Sequence, residues 1–145
     1  MAPPFKSLRF LYLGSAGFDA DLAYYRQVLG ASRVWQFDAF ESQVAAVRLG
    51  DGPLVLLADH RPAPSCILVY EVEDLDRTAA DLRARGWQPT GESFEIPNGP
   101  CFVFNDPSGN PLAIFEDQRP QAMEQAFADA NDESAAQRDV SGAET

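Results

Sequence analysis

Two seven-residue stretches of this chain align without a gap: Pro53-Leu54-Val55-Leu56-Leu57-Ala58-Asp59 and Pro111-Leu112-Ala113-Ile114-Phe115-Glu116-Asp117. Proline, leucine and aspartate are identical, and three of the four positions between are apolar in both copies. A chain that repeats a strand-like segment within its first ~120 residues is constrained to two similar modules sharing a core. The second copy leaves a turn built from Asn105-Asp106-Pro107-Ser108-Gly109-Asn110, which the apolar run Cys101–Phe104 enters. Pro107 presets φ at the first corner, and Gly109 and Asn110 tolerate positive φ, so this segment reads as a β-hairpin.

The rest of the chain fits the same plan twice. Leu8–Leu13 is an apolar run interrupted by Arg9 and ended by Gly14-Ser15-Ala16-Gly17, a strand and a turn. Asp19 or Asp21 can cap a helix carrying Leu22, Tyr25 and Leu29 at helical spacing, with Gly30 as its stop. Val34–Phe40, Val44–Leu49 and Leu54–Leu57 read as three strands, with Asp51-Gly52 turning the second into the third. His60–Ser65, with prolines at 62 and 64, is a linker, because proline cannot continue a strand ladder. Then Cys66–Val72 is a strand. Asp74 caps a helix with the stripe Leu75, Ala79 and Leu82, ending at Gly86. Trp87–Phe94 is a weak strand weakened by Pro89, and Cys101–Phe104 and Leu112–Phe115 complete the second unit. The expected fold class is α+β: two βαβββ modules, about 7–59 and 66–117, forming a curled mixed sheet with a cleft. Residues 118–145 form an acidic C-terminal helix and tail. The helix spans Gln118–Gln137 with Met123, Ala126, Phe127 and Ala130 on one face, and the small polar residues Asp139–Thr145 follow it.

Composition removes several function classes. The net charge is −11, which excludes nucleic acid as an expected partner, since phosphate binding needs clustered lysine and arginine. Eight acids and two arginines between Glu116 and Thr145 give −6 and leave −5 for the body, a balance that favours solubility or a cationic ligand at long range. No apolar run approaches ~18 residues, so no membrane span is expected. The first residues carry no apolar stretch after their charge, so no secretory signal is expected either. Cys66 and Cys101 sit in apolar runs and read as buried thiols of a cytoplasmic protein.

Tyr24-Tyr25-Arg26-Gln27-Val28-Leu29-Gly30 in the first helix, Asp106-Pro107-Ser108-Gly109-Asn110 before the last strand, and the internal repeat together resemble the vicinal oxygen chelate superfamily over residues 7 to 117. That superfamily includes glyoxalase I, extradiol dioxygenases, fosfomycin-resistance enzymes and bleomycin-resistance proteins. The resemblance implies a cleft whose metal-dependent members carry His or Glu ligands on the first and last strand of each module. Carried over one at a time, those positions fall at Phe10, Val55, Ile67 and Ala113, and a one-residue slip gives Leu11, Leu56, Cys66 or Ile114. None of these side chains offers the oxygen or nitrogen donors that a divalent ion needs. No metal and no other cofactor is therefore expected.

The remaining candidates are read from the residues themselves. Trp35 and Phe37 alternate on one strand and Phe102 and Phe104 on another, so each pair shares a face. Those faces line either an aromatic pocket for a planar ligand or a core against the helices. Arg48, at a strand end, is a candidate for a ligand anion, and Glu116 for the cleft mouth. His60, the single histidine, sits in the linker and reads as solvent-exposed rather than as a base. Cys66 has no base near it in sequence and reads as an inert thiol. The function these features point to is metal-independent binding of a small aromatic or cationic molecule, as in the bleomycin-resistance branch, by a homodimer. The alternative is a lyase, isomerase or dioxygenase of the same superfamily with an atypical site.

Overall fold

The computed structural model describes residues 3–131. β1 (Ser7–Gly14) runs into α1 (Phe18–Ala23), which continues as a π-helical turn over Tyr24–Val28. β2 (Ser32–Ala39), β3 (Ser42–Arg48) and β4 (Leu54–Ala58) complete the first module. The second consists of β5 (Cys66–Val72), α2 (Leu75–Ala84), β6 (Phe94–Ile96), β7 (Gly99–Asn105) and β8 (Pro111–Glu116). A last helix, α3, covers residues 122–131. All eight strands form one mixed sheet in the order β2-β3-β4-β1-β5-β8-β7-β6. Each module pairs its first and last strands in parallel, β1 with β4 and β5 with β8. The modules join through the antiparallel β1–β5 pair at the centre.

Strand alternation sorts the core into two faces. On one, Leu11, Leu13, Ala45, Val47, Val55 and Leu57 meet Phe18 and Leu22 of α1. Further along the same face, Tyr70, Val72, Phe102, Phe104, Leu112 and Ile114 meet Leu75, Ala79 and Leu82 of α2. The opposite face carries one continuous cluster from β2 to β7, built on Phe10, Trp35, Leu54, Leu56, Val69, Cys101, Ala113 and Phe115. This is the concave face of a half-barrel.

Several local expectations are corrected. Neither Asp19 nor Asp21 caps α1: its N-cap is Gly17, and Asp21 instead accepts the Ser15 hydroxyl at 2.6 Å. The strand expected over Trp87–Phe94 is confined to Phe94–Ile96. Trp87 packs edge-on against Phe102 and Phe104, and the segment keeps a single backbone bond to β7, from the Thr90 N–H to the Val103 carbonyl at 2.8 Å, in place of a ladder. Asp74 does cap α2, accepting from the Arg77 N–H at 3.1 Å. In the last hairpin Asp106 accepts the backbone N–H groups of Ser108 and Asn110 at 3.0 and 2.9 Å, and Gly109 takes a φ of 88°. The Asn110 side-chain amide, chief among these donors, holds the Asp106 carboxyl below its usual pKa.

The C-terminal helix lies on the concave face. Met123 and Phe127 pack against its cluster, while Ala126 and Ala130, counted on the same stripe, are exposed. Phe127 stands edge-on to Phe37 at 6.0 Å, with the Arg33 guanidinium 5.5 Å from its ring centre. The expected helix beyond residue 131 and the polar tail lie outside the described residues.

Candidate functional site

The concave face has an apolar floor and a polar cluster at each end. Phe10 and Phe115 stack at 5.6 Å in the floor. At one end a bulge between Leu8 and Phe10 brings Arg9 over both rings, 5.3 Å and 5.7 Å from their centres. Its Nη1 donates to Glu71 Oε1 at 2.5 Å and to Asp117 Oδ2 at 3.1 Å. Lys6 joins Glu71 at 3.2 Å, and the Asn98 amide reaches Asp117 at 3.3 Å. Burial works against the Arg9 charge, but the hydrogen bonds to Glu71 and Asp117 outweigh it and hold the guanidinium above its ordinary pKa. At the other end, Tyr12 of β1 lies against the cluster, and its hydroxyl is 3.0 Å from His60 Nε2.

The sequence-derived candidates divide. Phe10, Trp35, Phe37, Ile67 and Ala113 meet on the concave face. Val55 does not: it points to α1, and Leu56 takes its place on the floor. A strand's side chains alternate, so a slip of one residue exchanges faces. The gapless repeat pairs Val55 with Ala113, whereas the fold makes Leu56 and Ala113 the matching concave positions. Phe102 and Phe104 are likewise on the helix side, packed with Trp87 beneath α2. Glu116 is not at the cleft mouth. Its Oε1 accepts the Leu75 N–H at 2.8 Å, at the N-terminus of α2, and its Oε2 accepts from the Gln118 amide at 2.7 Å. Arg48 ends β3 exposed, opposite Ser32.

The four family ligand positions, with the register corrected, are Phe10, Leu56, Ile67 and Ala113, all hydrocarbon. A divalent cation there would shed water and gain no donor, so these residues do not fit the metal. Among the described residues, no group of three His, Cys, Asp or Glu side chains could hold one elsewhere.

Arg9, Tyr12, Glu71 and Asp117 were missed as site residues. Glu71 and Asp117 share the parity of Val69 and Phe115, so face alternation could have placed them. Arg9 showed only as a charge interrupting an apolar strand, because its orientation depends on the bulge.

A profile of the Glyoxalase/Bleomycin resistance protein/Dioxygenase superfamily matches residues 13–114. The chain belongs to this superfamily. Among solved structures, methylmalonyl-CoA epimerase from Mycobacterium tuberculosis superposes with a TM-score of 0.69 at 18% identity, covering 84% of this chain and 95% of that one. A methylmalonyl-CoA epimerase in complex with methylmalonyl-CoA and NH4+ gives 0.65 at 13% identity, over 79% of this chain and 96% of that one. Catechol 2,3-dioxygenase gives 0.61 at 20% identity, with 78% of this chain covering 42% of it. At such identities the superfamily likeness is one of fold. A search of curated protein sequences finds no match. No helix among the described residues is long and apolar enough to cross a membrane.

Proposed function

We propose that this superfamily member binds a small, planar, largely apolar molecule on its concave face without a metal ion. The observation that carries the reading is the hydrocarbon character of Phe10, Leu56, Ile67 and Ala113 at the positions where metal-dependent relatives carry donors. Trp35 and Phe37, with ring centres 6.0 Å apart, give that face flat apolar walls. The second reading, an enzyme with an atypical site, would draw on Glu71 and Asp117 as acid–base groups. Both already have structural partners: Arg9 joins the two, Lys6 also pairs with Glu71, and the Asn98 amide donates to Asp117.

α3 occupies part of the same face, so a ligand must share the space or displace Phe127. We also propose a homodimer in the cytoplasm. Apolar side chains exposed beside the two ends of the edge strand β2, Phe40 after it and Val28 and Leu29 before it, support pairing.

Titration with Zn²⁺, Ni²⁺, Mn²⁺ and Fe²⁺, read by calorimetry on untagged protein, tests the metal-free reading: no stoichiometric binding is expected. One equivalent of tightly held metal would overturn it. Sedimentation of the same sample at two concentrations is expected to give a dimer, and a monomer at both removes the pairing.

A further inference from the structure

The polar group at the Tyr12 end of the concave face has no role in the fold that accounts for its composition. Gly14 makes the arrangement possible. A Cβ there would lie 1.9 Å from the Pro62 carbonyl oxygen, so only glycine lets the linker close onto the end of β1. The Gly14 N–H donates to the Ser65 carbonyl at 3.2 Å and the Ser15 N–H to the Ala58 carbonyl at 2.9 Å, which fixes the linker at both ends. His60 is thereby held beside Tyr12, its ring 5.8 Å from the phenol ring, and Arg61 follows it in the linker.

Arg61 Nε is buried with no hydrogen-bond partner among the described residues. A half-buried guanidinium in that state is a donor waiting for an acceptor. Its charge also reaches Tyr12: burial pushes the phenol pKa up, Arg61 pulls against that, and Asp59 adds to it. Asp59 does not satisfy Arg61 Nε, which has no partner among the described residues; the Asp59 Oδ1 instead accepts the Gln43 N–H at 2.8 Å. Leu56 and Ile67, the Cα partners of Tyr12 on β4 and β5, flank it on either side in the sheet.

We infer that Tyr12, His60 and Arg61 form an anion subsite that holds the carboxylate of a small organic acid whose flat apolar body lies on the concave face. This rests on the reading of that face as the ligand cleft and adds the ligand's charge. His60 carrying its proton on Nε2 donates to the Tyr12 oxygen, which frees the Tyr12 hydroxyl proton to donate to the carboxylate. Arg61 supplies charge-assisted donors to the same group. The charge is opposite in sign to the cationic ligand that the net charge suggests. Net charge acts as a long-range sum, whereas the subsite presents the nearest donors.

Isothermal titration of the full chain with 2-naphthoate and its neutral isostere 2-naphthamide tests the inference. Naphthoate is expected to bind about tenfold or more tightly than naphthamide. Arg61→Leu is expected to erase that preference and leave naphthamide binding unchanged, and Tyr12→Phe to weaken naphthoate alone. Arg77→Leu, which removes a cation on the far side of α2, is expected to change neither. Circular dichroism on each variant establishes that it is folded, and Tyr12→Phe keeps the ring that packs on the cluster. If both probes bind equally, or Arg61→Leu keeps the preference, the subsite is wrong and the cleft stands. If neither probe binds the wild-type chain or Phe127→Ala, the cleft reading falls and the subsite with it.

Discussion

Replacing Met123 and Phe127 by alanine removes the side chains through which α3 rests on the concave face. Full burial of either is worth about 1.5–3 kcal/mol, and both are half-buried, so the pair loses roughly 2 kcal/mol of transfer free energy. The edge-on contact of Phe127 with Phe37 adds about 0.5–1.5 kcal/mol, and the Arg33 guanidinium over the same ring about 0.5–1 kcal/mol. The sum is about 3–4.5 kcal/mol, an upper bound, because α3 can detach locally and the loss cannot exceed its own docking free energy. Urea unfolding followed by tryptophan fluorescence measures the change. Trp35, on the same cluster, should also shift its native emission as the cover is removed. Ala126→Ser and Ala130→Ser, at exposed positions of the same helix, should stay within about 0.5 kcal/mol of wild type. A double alanine variant as stable as the parent, with unchanged emission, would refute the argument that α3 covers the cleft through these two residues.

Glu116→Ala takes an acceptor from the first turn of α2 and should cost about 0.5–2 kcal/mol, while Glu116→Gln, which keeps an oxygen, should cost less. Unchanged stability combined with lost naphthoate binding would return Glu116 to the ligand site. Burial pushes the Cys101 thiol from 9.0 up to about 12, so in the native protein it should resist thiol reagents at pH 8 and react only on unfolding. The native state keeps that proton where the unfolded chain gives it up, so stability should decline as pH rises from about 9 towards 12. Rapid labelling of Cys101 in the folded chain at pH 8, or stability flat across that range, would contradict its burial.

The sequence alone determined the two-module plan, the strands and helices other than β6, and the hydrocarbon character of the family's ligand positions. Each follows from local patterning: a repeated segment, alternation, helical spacing, and turns marked by proline, glycine and aspartate. Which face is which was decided only by the tertiary structure. Alternation shows that Val55 and Leu56 point to opposite sides, but only the docking of α1 makes Val55 a helix contact and Leu56 a floor residue. The same holds for Phe102 and Phe104, which α2 and Trp87 claim from the helix side. Charged residues were the hardest to read, because their roles depend on contacts distant in sequence. Arg9 meets Glu71 and Asp117 across 62 and 108 residues, and Tyr12 meets His60 across 48. No local periodicity encodes such pairs: they exist because a sheet places β1 beside both β4 and β5, and because Gly14 lets the linker close against it.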